Sequence, residues 1–404
     1  MLKRILKSYD YTLIVVIVLL SLFGLVMIYS ASMVNGPMRH EVSSDFFYQK
    51  QKINLVLAFI AFVGAALLPY KIYQFKKVLM LIFVGSIFIL LTLFIFGHVA
   101  GNAKSWLNLG ARNLQPAEFI KIGVIIYMSA IYAKKQEYIN QFDKGVVPPI
   151  IFLVIICLLI AAQPDFGTAF IIFLIAATII MCSGINLKTM SKLLAIGLFF
   201  AVLLSPFILF LKDDIFSENR MGRIYSFIDP FKYEQKQGYQ LVNSYIAIGS
   251  GGLKGVGLGE SVQKYGYLPE PHTDFIMAVI SEELGAIGVV FVIGSLALIV
   301  IKGYFVAKRC RDPFGSLLAI GISSMIGIQS CINLGGMSGS IPLTGVTLPF
   351  VSYGGSSILL LGIAAGILVN VSMFTNYENK YKFKENEKQI EMKKKFPFKV
   401  FSSS

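Results

Sequence analysis

The chain has 404 residues, of which 56% are hydrophobic and 14% charged, and its mean hydropathy is +0.72. Soluble domains carry about 25% charged residues, so this composition excludes a cytosolic enzyme, a disordered chain and a small disulfide scaffold, and points to a polytopic membrane protein. A formal net charge of +14 would suit a nucleic-acid binder, but the basic residues stand in short clusters between apolar runs, where they set topology and meet anionic headgroups.

Ten apolar runs able to cross a bilayer are predicted, near 12–30, 53–69, 78–97, 115–133, 146–162, 167–183, 191–211, 274–301, 314–335 and 350–374. The first is too long for a signal peptide and lacks a small-residue cleavage site, so it is expected to be retained behind Lys3, Arg4 and Lys7. An even number of spans puts both termini on one side. The N-terminus, the alternate loops and the tail carry 23 basic residues against 12 in the opposite loops, which makes both termini cytoplasmic and the loop 212–273 external. The expected fold is all-α, with a membrane domain over 1–375 and a basic cytoplasmic tail over 376–404, including Lys393, Lys394 and Lys395. That tail reads as a solvated topology anchor or as a docking peptide. Cys157, Cys182, Cys310 and Cys331 show no CxxC spacing, and His40, His98 and His272 are scattered, so neither a disulfide nor a protein-ligated metal is expected.

Ionisable groups inside apolar runs are costly and therefore candidates for function. Glu118 and Lys121 lie one turn apart in span four and read as a structural ion pair or as the wall of an inner cavity. Asp165 sits in a short turn before span six. The outer loop mixes Arg220, Arg223, Lys232, Lys236, Lys254 and Lys264 with tyrosines and a glycine-rich stretch, 249–257, which either cradles a phosphate or makes turns. Asp274 opens span eight at the water boundary. There a carboxylate can act as a general base of raised pKa, or simply cap the helix. At about 100° per residue, Ala278, Ser281, Glu282 and Gly285 share a stripe with Asp274, while Glu283 faces away. A second glycine-rich stretch, 352–357, opens span ten and suggests a broken-helix cavity mouth.

Five ordered blocks then become recognisable: 115–121 (QPAEFIK), 163–168 (QPDFGT), 247–252 (AIGSGG), 268–275 with 282–285 (LPEPHTDF, EELG) and 347–357 (TLPFVSYGGSS). Together they resemble the SEDS family (shape, elongation, division and sporulation) over nearly all of 10–375. The segment 6–11 and Thr347 lean towards its division members rather than its elongation or sporulation members. The resemblance implies a peptidoglycan glycosyltransferase that polymerises lipid II beside a class B penicillin-binding protein and other division-complex proteins, with no nucleic acid involved. It maps the family's essential Asp onto Asp274. It also marks Lys104, Trp106, Glu118, Lys121, Arg220, Arg223, Lys254, His272, Glu282, Ser352 and Ser356 as candidates for binding substrate. A divalent cation could assist, although no ligand cluster demands one. Three positions depart from the family pattern: Ser105 replaces a second basic residue, Ala117 a serine and Asn243 a glutamine. A lipid II flippase and a non-catalytic scaffold are the rival readings. Small residues on spans eight and nine (Gly288, Gly294, Ser295, Gly315, Ser316 and Gly321) are expected to admit the partner's membrane helix.

Overall fold

The computed structural model describes residues 2–100, 103–108, 113–197, 218–236 and 238–382. Short helices α1 (Leu2–Leu6) and α3 (Asn35–His40) flank α2 (Tyr11–Ser32). Then come α4 (Phe46–Leu67), α5 (Lys76–Phe96), α6 (Pro116–Lys134), α7 (Val147–Ala161) and α8 (Phe166–Cys182). The later helices are α9 (Glu218–Ile228), α10 (Tyr239–Gly251), α11 (Ile276–Arg309), α12 (Pro313–Met337) and α13 (Gly355–Tyr377). Among the described residues, eight helices are long and apolar enough to cross a membrane, and α8 is a shorter apolar one. The predicted span near 191–211 is helical from 187 to 197, and its remainder lies outside the described residues, as does most of the tail.

The helix starts follow from local chemistry. Asp10, Asp165 and Asp312 each accept a backbone N–H of the first turn, from Leu13 (3.2 Å), Thr168 (3.1 Å) and Gly315 (3.3 Å). Pro116 and Pro313 sit where a missing N–H costs nothing. Asp165 is therefore the N-cap of α8, and its other oxygen accepts from Gln115 Nε2 at 3.2 Å. Helix α4 begins at Phe46 rather than near 53. The polar run 49–52 hides its first turns from a hydropathy reading, yet Gln51 is buried and its Oε1 accepts from Gly354 N.

The all-α expectation gains one addition. Strands β1 (His98–Ala100), β2 (Ala103–Asn108) and β3 (Asn113–Leu114) form a small antiparallel sheet in that order between α5 and α6. In the bundle, α13 is the central helix, with 83% of its apolar window buried, whereas α5 has 22% and turns most of its surface outward. The segments at the two described ends of the chain meet at one end of the bundle, where Asn376 Nδ2 donates to Ser8 O (3.0 Å) and Lys302 pairs with Asp10 (3.0 Å).

Helix α11 is the element that shapes the opposite end. An unbroken helix of its 34 residues would be about 51 Å long, well beyond a hydrocarbon core of about 30 Å. It breaks at Gly285 (φ +61°, ψ −156°). A side chain there would collide with the backbone of Leu253 and Gly255 as well as being strained. The glycine-rich stretch after α10 docks into this break: Ala286 N donates to Gly252 O (3.0 Å), Val256 N to Glu282 O (2.9 Å) and Gly257 N to Glu283 O (3.0 Å). Backbone groups that the break deprives of helical partners are thus satisfied by the loop.

The small-residue stripe proposed for a partner helix divides differently from expectation. A methyl group on Gly315 would meet Cys310 and Tyr70, and one on Gly321 would meet Ile125 and Ile179, so these glycines let the bundle's own helices pack. Gly288 is enclosed by Leu284 and Ile280, and Ser316 Oγ donates to Ala307 O at 2.9 Å. Gly294 alone of the four glycines faces open space.

Candidate active site

Asp274 lies in the turn before α11, so it is not itself on the helix from which the predicted wheel was drawn. Asn333 of α12 holds this turn by donating Nδ2 to Asp274 O (2.8 Å) and to Val346 O (2.7 Å), which ties the start of α11 to the segment after α12. Thr273 Oγ1 donates to Asp274 Oδ1 at 3.1 Å and stands 3.2 Å from Glu270 Oε2. Asp274 borders a niche of about 10 Å³, lined also by Phe275, Asn333, Met337 and Thr344, which is space for about one water. Asn333 also lines the niche, and its Oδ1 has no hydrogen-bond partner among the described residues.

The Asp274 side chain is half-buried, but enough protein surrounds it for the loss of water to dominate its titration. Burial lifts its pKa from 3.8 to about 6. The hydrogen bond from Thr273 opposes that rise, the negative charge of Glu270 adds to it, and the positive charge of Arg223 opposes it. A carboxylate so placed is largely ionised at neutral pH and still basic enough to accept a proton in a reaction.

The glutamates farther along α11 are differently occupied. Glu282 is 2% exposed and accepts from the Ser261 hydroxyl, Val262 N (2.9 Å) and Gln263 N (3.4 Å). Glu283 is fully buried, pairs with Lys264 Nζ at 2.9 Å and accepts from Ser30 Oγ at 2.7 Å. The expectation that Glu282 shares an open substrate-facing stripe with Asp274, with Glu283 on the far side, is therefore corrected. The loop 252–266 folds down onto the break in α11 and encloses both carboxylates. Lys264, Ser30, Ser261 and Asn333 are the participants that the sequence reading missed as a group. Of these, only Lys264 stands out in the sequence, as one of several loop cations.

Several other candidate substrate residues form internal links. The His272 imidazole is buried against Phe47 (ring centroids 4.2 Å) and Tyr353 (5.5 Å), and its carbonyl accepts from Tyr353 N at 2.9 Å. Ser352 Oγ accepts from Leu348 N (2.8 Å) and closes the turn before α13, and Ser356 Oγ accepts from Gln115 N (3.0 Å). Both serines are buried. These contacts fix the mouth of the bundle. Glu118 and Lys121 form a buried 2.7 Å pair on α6, and Glu118 Oε2 has no hydrogen-bond partner among the described residues. Trp106 is half-buried on β2 opposite His98. Arg223 and Lys254 are exposed, and Arg223 is the candidate cation whose charge reaches Asp274. The side chains of Lys104 and Arg220 lie outside the described residues. Among the described residues no group of three or more His, Cys, Asp or Glu stands together to hold a metal ion.

A bundle of apolar helices with a base-like carboxylate at one mouth, above a loop-filled helix break, defines a multi-pass membrane protein with a candidate site at the end of its bundle. The chain belongs to the FtsW/RodA/SpoVE family of cell cycle proteins, whose model matches residues 10–377. It is 56% identical over 395 residues to a probable peptidoglycan glycosyltransferase FtsW of Bacillus subtilis, covering 98% of each chain. Stage V sporulation protein E of the same organism is 36% identical over 372 residues, covering 92% of this chain and 98% of that protein. Its fold matches a chain of a peptidoglycan synthase complex that couples polymerization and crosslinking (TM-score 0.71, 22% identity, 91% of this chain and 98% of that one). It also matches the rod shape determining protein RodA of Thermus thermophilus (TM-score 0.60, 22% identity, 92% and 98%).

Proposed function

We infer that this chain is a peptidoglycan glycosyltransferase that polymerises lipid II into glycan strands during septal wall synthesis. The 56% identical relative, named a probable peptidoglycan glycosyltransferase, supports the activity, and membership of a family of cell cycle proteins supports the division role. The observation that carries the chemistry is Asp274, a carboxylate at a bundle mouth whose pKa burial lifts to about 6. In the reaction, Asp274 takes the proton from the GlcNAc 4-hydroxyl of the acceptor lipid II. The freed oxygen bonds to C1 of the donor's terminal MurNAc as the C1–O bond to undecaprenyl diphosphate breaks, with inversion. Arg223 lies close enough to act on Asp274, and with Lys254, Lys104 and Arg220 it offsets the charge gathering on the leaving diphosphate. No step requires a protein-held metal.

Both termini face the cytoplasm in this reading, and Asp274 faces outward at the septum. The partner is a class B penicillin-binding protein whose single membrane helix lies along the outward face of α11, where Ile287 and Val290 are each 68% exposed. Other division proteins assemble on that pair. Efficient crosslinks from the partner helix to a cysteine at position 290 are expected, whereas crosslinks confined to α2, α4 and α5 would exclude this docking. The test of function is the purified chain in vesicles supplied with lipid II. Glycan polymer that disappears with Asp274→Asn is the expected result. Lipid II movement without polymer would make the chain a flippase, and neither activity would leave it a scaffold.

A further inference from the structure

The end of the bundle far from Asp274 carries an open cavity of about 510 Å³. Three chain segments build it. Lys7 comes from the turn before α2, Arg309 from the last turn of α11, and Asn376, Asn379 and Lys380 from the end of α13 and the turn after it. Hydrogen bonds from two of the lining residues hold these segments in place. Asn376 Nδ2 donates to Ser8 O (3.0 Å) and Asn379 Nδ2 to Arg309 O (3.3 Å), while the Lys302–Asp10 pair braces α11 against the start of α2 beside them. The walls carry three cations, and no Asp or Glu is among the described residues that line the cavity. Glu378 stands on the same turn but is not among the residues lining the cavity.

The position of the cavity narrows its ligand. Lys7 precedes a span, and Arg309 and Asn376 end theirs, so the cavity lies at the boundary between hydrocarbon and water, where lipid phosphates sit. Scattered surface lysines would satisfy a topology rule without any concavity. Here three cations from distant parts of the chain converge on one hollow, whose wall two asparagine side chains fix in place. We propose that this cavity binds a phosphate group, supplied by the headgroup of an anionic phospholipid. The bound phosphate would bridge the start of α2, the end of α11 and the end of α13, and so stiffen the end of the bundle opposite the reaction.

The test uses the full chain in phosphatidylcholine nanodiscs containing a minor fraction of phosphatidylglycerol, with retained lipid counted by native mass spectrometry. Each cation removed is expected to weaken retention by about five-fold, so Lys7→Gln/Arg309→Gln/Lys380→Gln should lose about a hundred-fold. A control of equal charge at the same end, Lys71→Gln/Lys76→Gln/Lys77→Gln, should retain phosphatidylglycerol like the wild type. Equal losses in the two triple variants, or no loss in the first, would overturn the site as diffuse surface charge. Inorganic phosphate titrated into pure phosphatidylcholine discs separates the sources. Displacement of phosphatidylglycerol by phosphate supports one shared site, and saturation by phosphate without phosphatidylglycerol retention would overturn the lipid as the natural source. If the triple variant does not fold, Lys7→Gln/Lys380→Gln alters two exposed side chains only and should still lose about twenty-five-fold.

Discussion

Asp274 and the Glu282–Glu283 pair lie within three turns of each other at the start of α11, yet their surroundings differ in kind. Each glutamate is enclosed and saturated: Glu282 accepts from a hydroxyl and two backbone N–H groups, and Glu283 from an ammonium and a hydroxyl. Asp274 accepts from the Thr273 hydroxyl and from its own backbone N–H, borders a niche and has a like charge, Glu270, beside it. A carboxylate held by several protein donors links the segments that carry them and so holds structure together. One that is desolvated but left with open acceptor sites keeps a reason to take up a proton. Neighbouring acids on one element can therefore carry opposite tasks, and satisfaction separates them better than burial does.

The largest expected effect breaks the comparison on the Asp274 side. Asp274→Asn keeps the size and the Thr273 contact but removes the base, and should reduce polymerisation about 10²–10⁴-fold with normal membrane insertion. Polymer yields like the wild type's would remove Asp274 from the chemistry.

On the clamp side the expected loss is of stability. Lys264→Met strands the buried Glu283 charge and should cost about 3–5 kcal/mol in thermal or denaturant unfolding of the purified protein. Lys264→Met/Glu283→Leu should recover most of that loss, because the pair is replaced rather than broken. A double variant no better than the single one would mean that the ion pair is not what holds the loop. A smaller loss, about 1–3 kcal/mol, is expected for Gly255→Ala. Its φ is +77° and its added methyl would run into the Glu283 carbonyl, whereas Gly249→Ala, with open space around it, should be nearly neutral.

What the sequence made legible and what it hid follow from range. Apolar runs are local, so the spans could be read directly, whereas Asp165 reads in the sequence as an ionisable candidate and is in the structure the N-cap of α8. Asp274 was legible as a candidate because it opens a span after a polar loop. The clamp was not, since Lys264 and Ser30 reach Glu283 from 19 and 253 residues away. The helical wheel failed for a related reason. It assumed one continuous helix from 274 and an uncovered face, whereas the helix starts at Ile276, breaks at Gly285 and is roofed by its own loop. Glycines were visible as turn-makers at 249–257, but nothing local says that the stretch substitutes for a missing turn of α11.

The finest test concerns how Asp274 is tuned. Its pKa in the folded protein, about 6, lies above the ordinary 3.8, so the folded state holds that proton to higher pH. The associated stability is fully present below about pH 4 and is lost as pH rises through about 6. Activity runs the other way, because the base must be ionised: polymerisation should rise with pH along an acid limb centred near 6. Removing the like charge with Glu270→Gln eases ionisation of Asp274 and should move that limb to lower pH. Removing the opposite charge with Arg223→Gln should move it to higher pH, besides weakening any hold on the diphosphate. Opposite displacements of kcat/KM profiles, with folding unchanged, would tie the limb to this carboxylate. Displacement in one common direction would point to a different titrating group, and Asp274 would then have to be read with Glu282 and Glu283 as a structural acid.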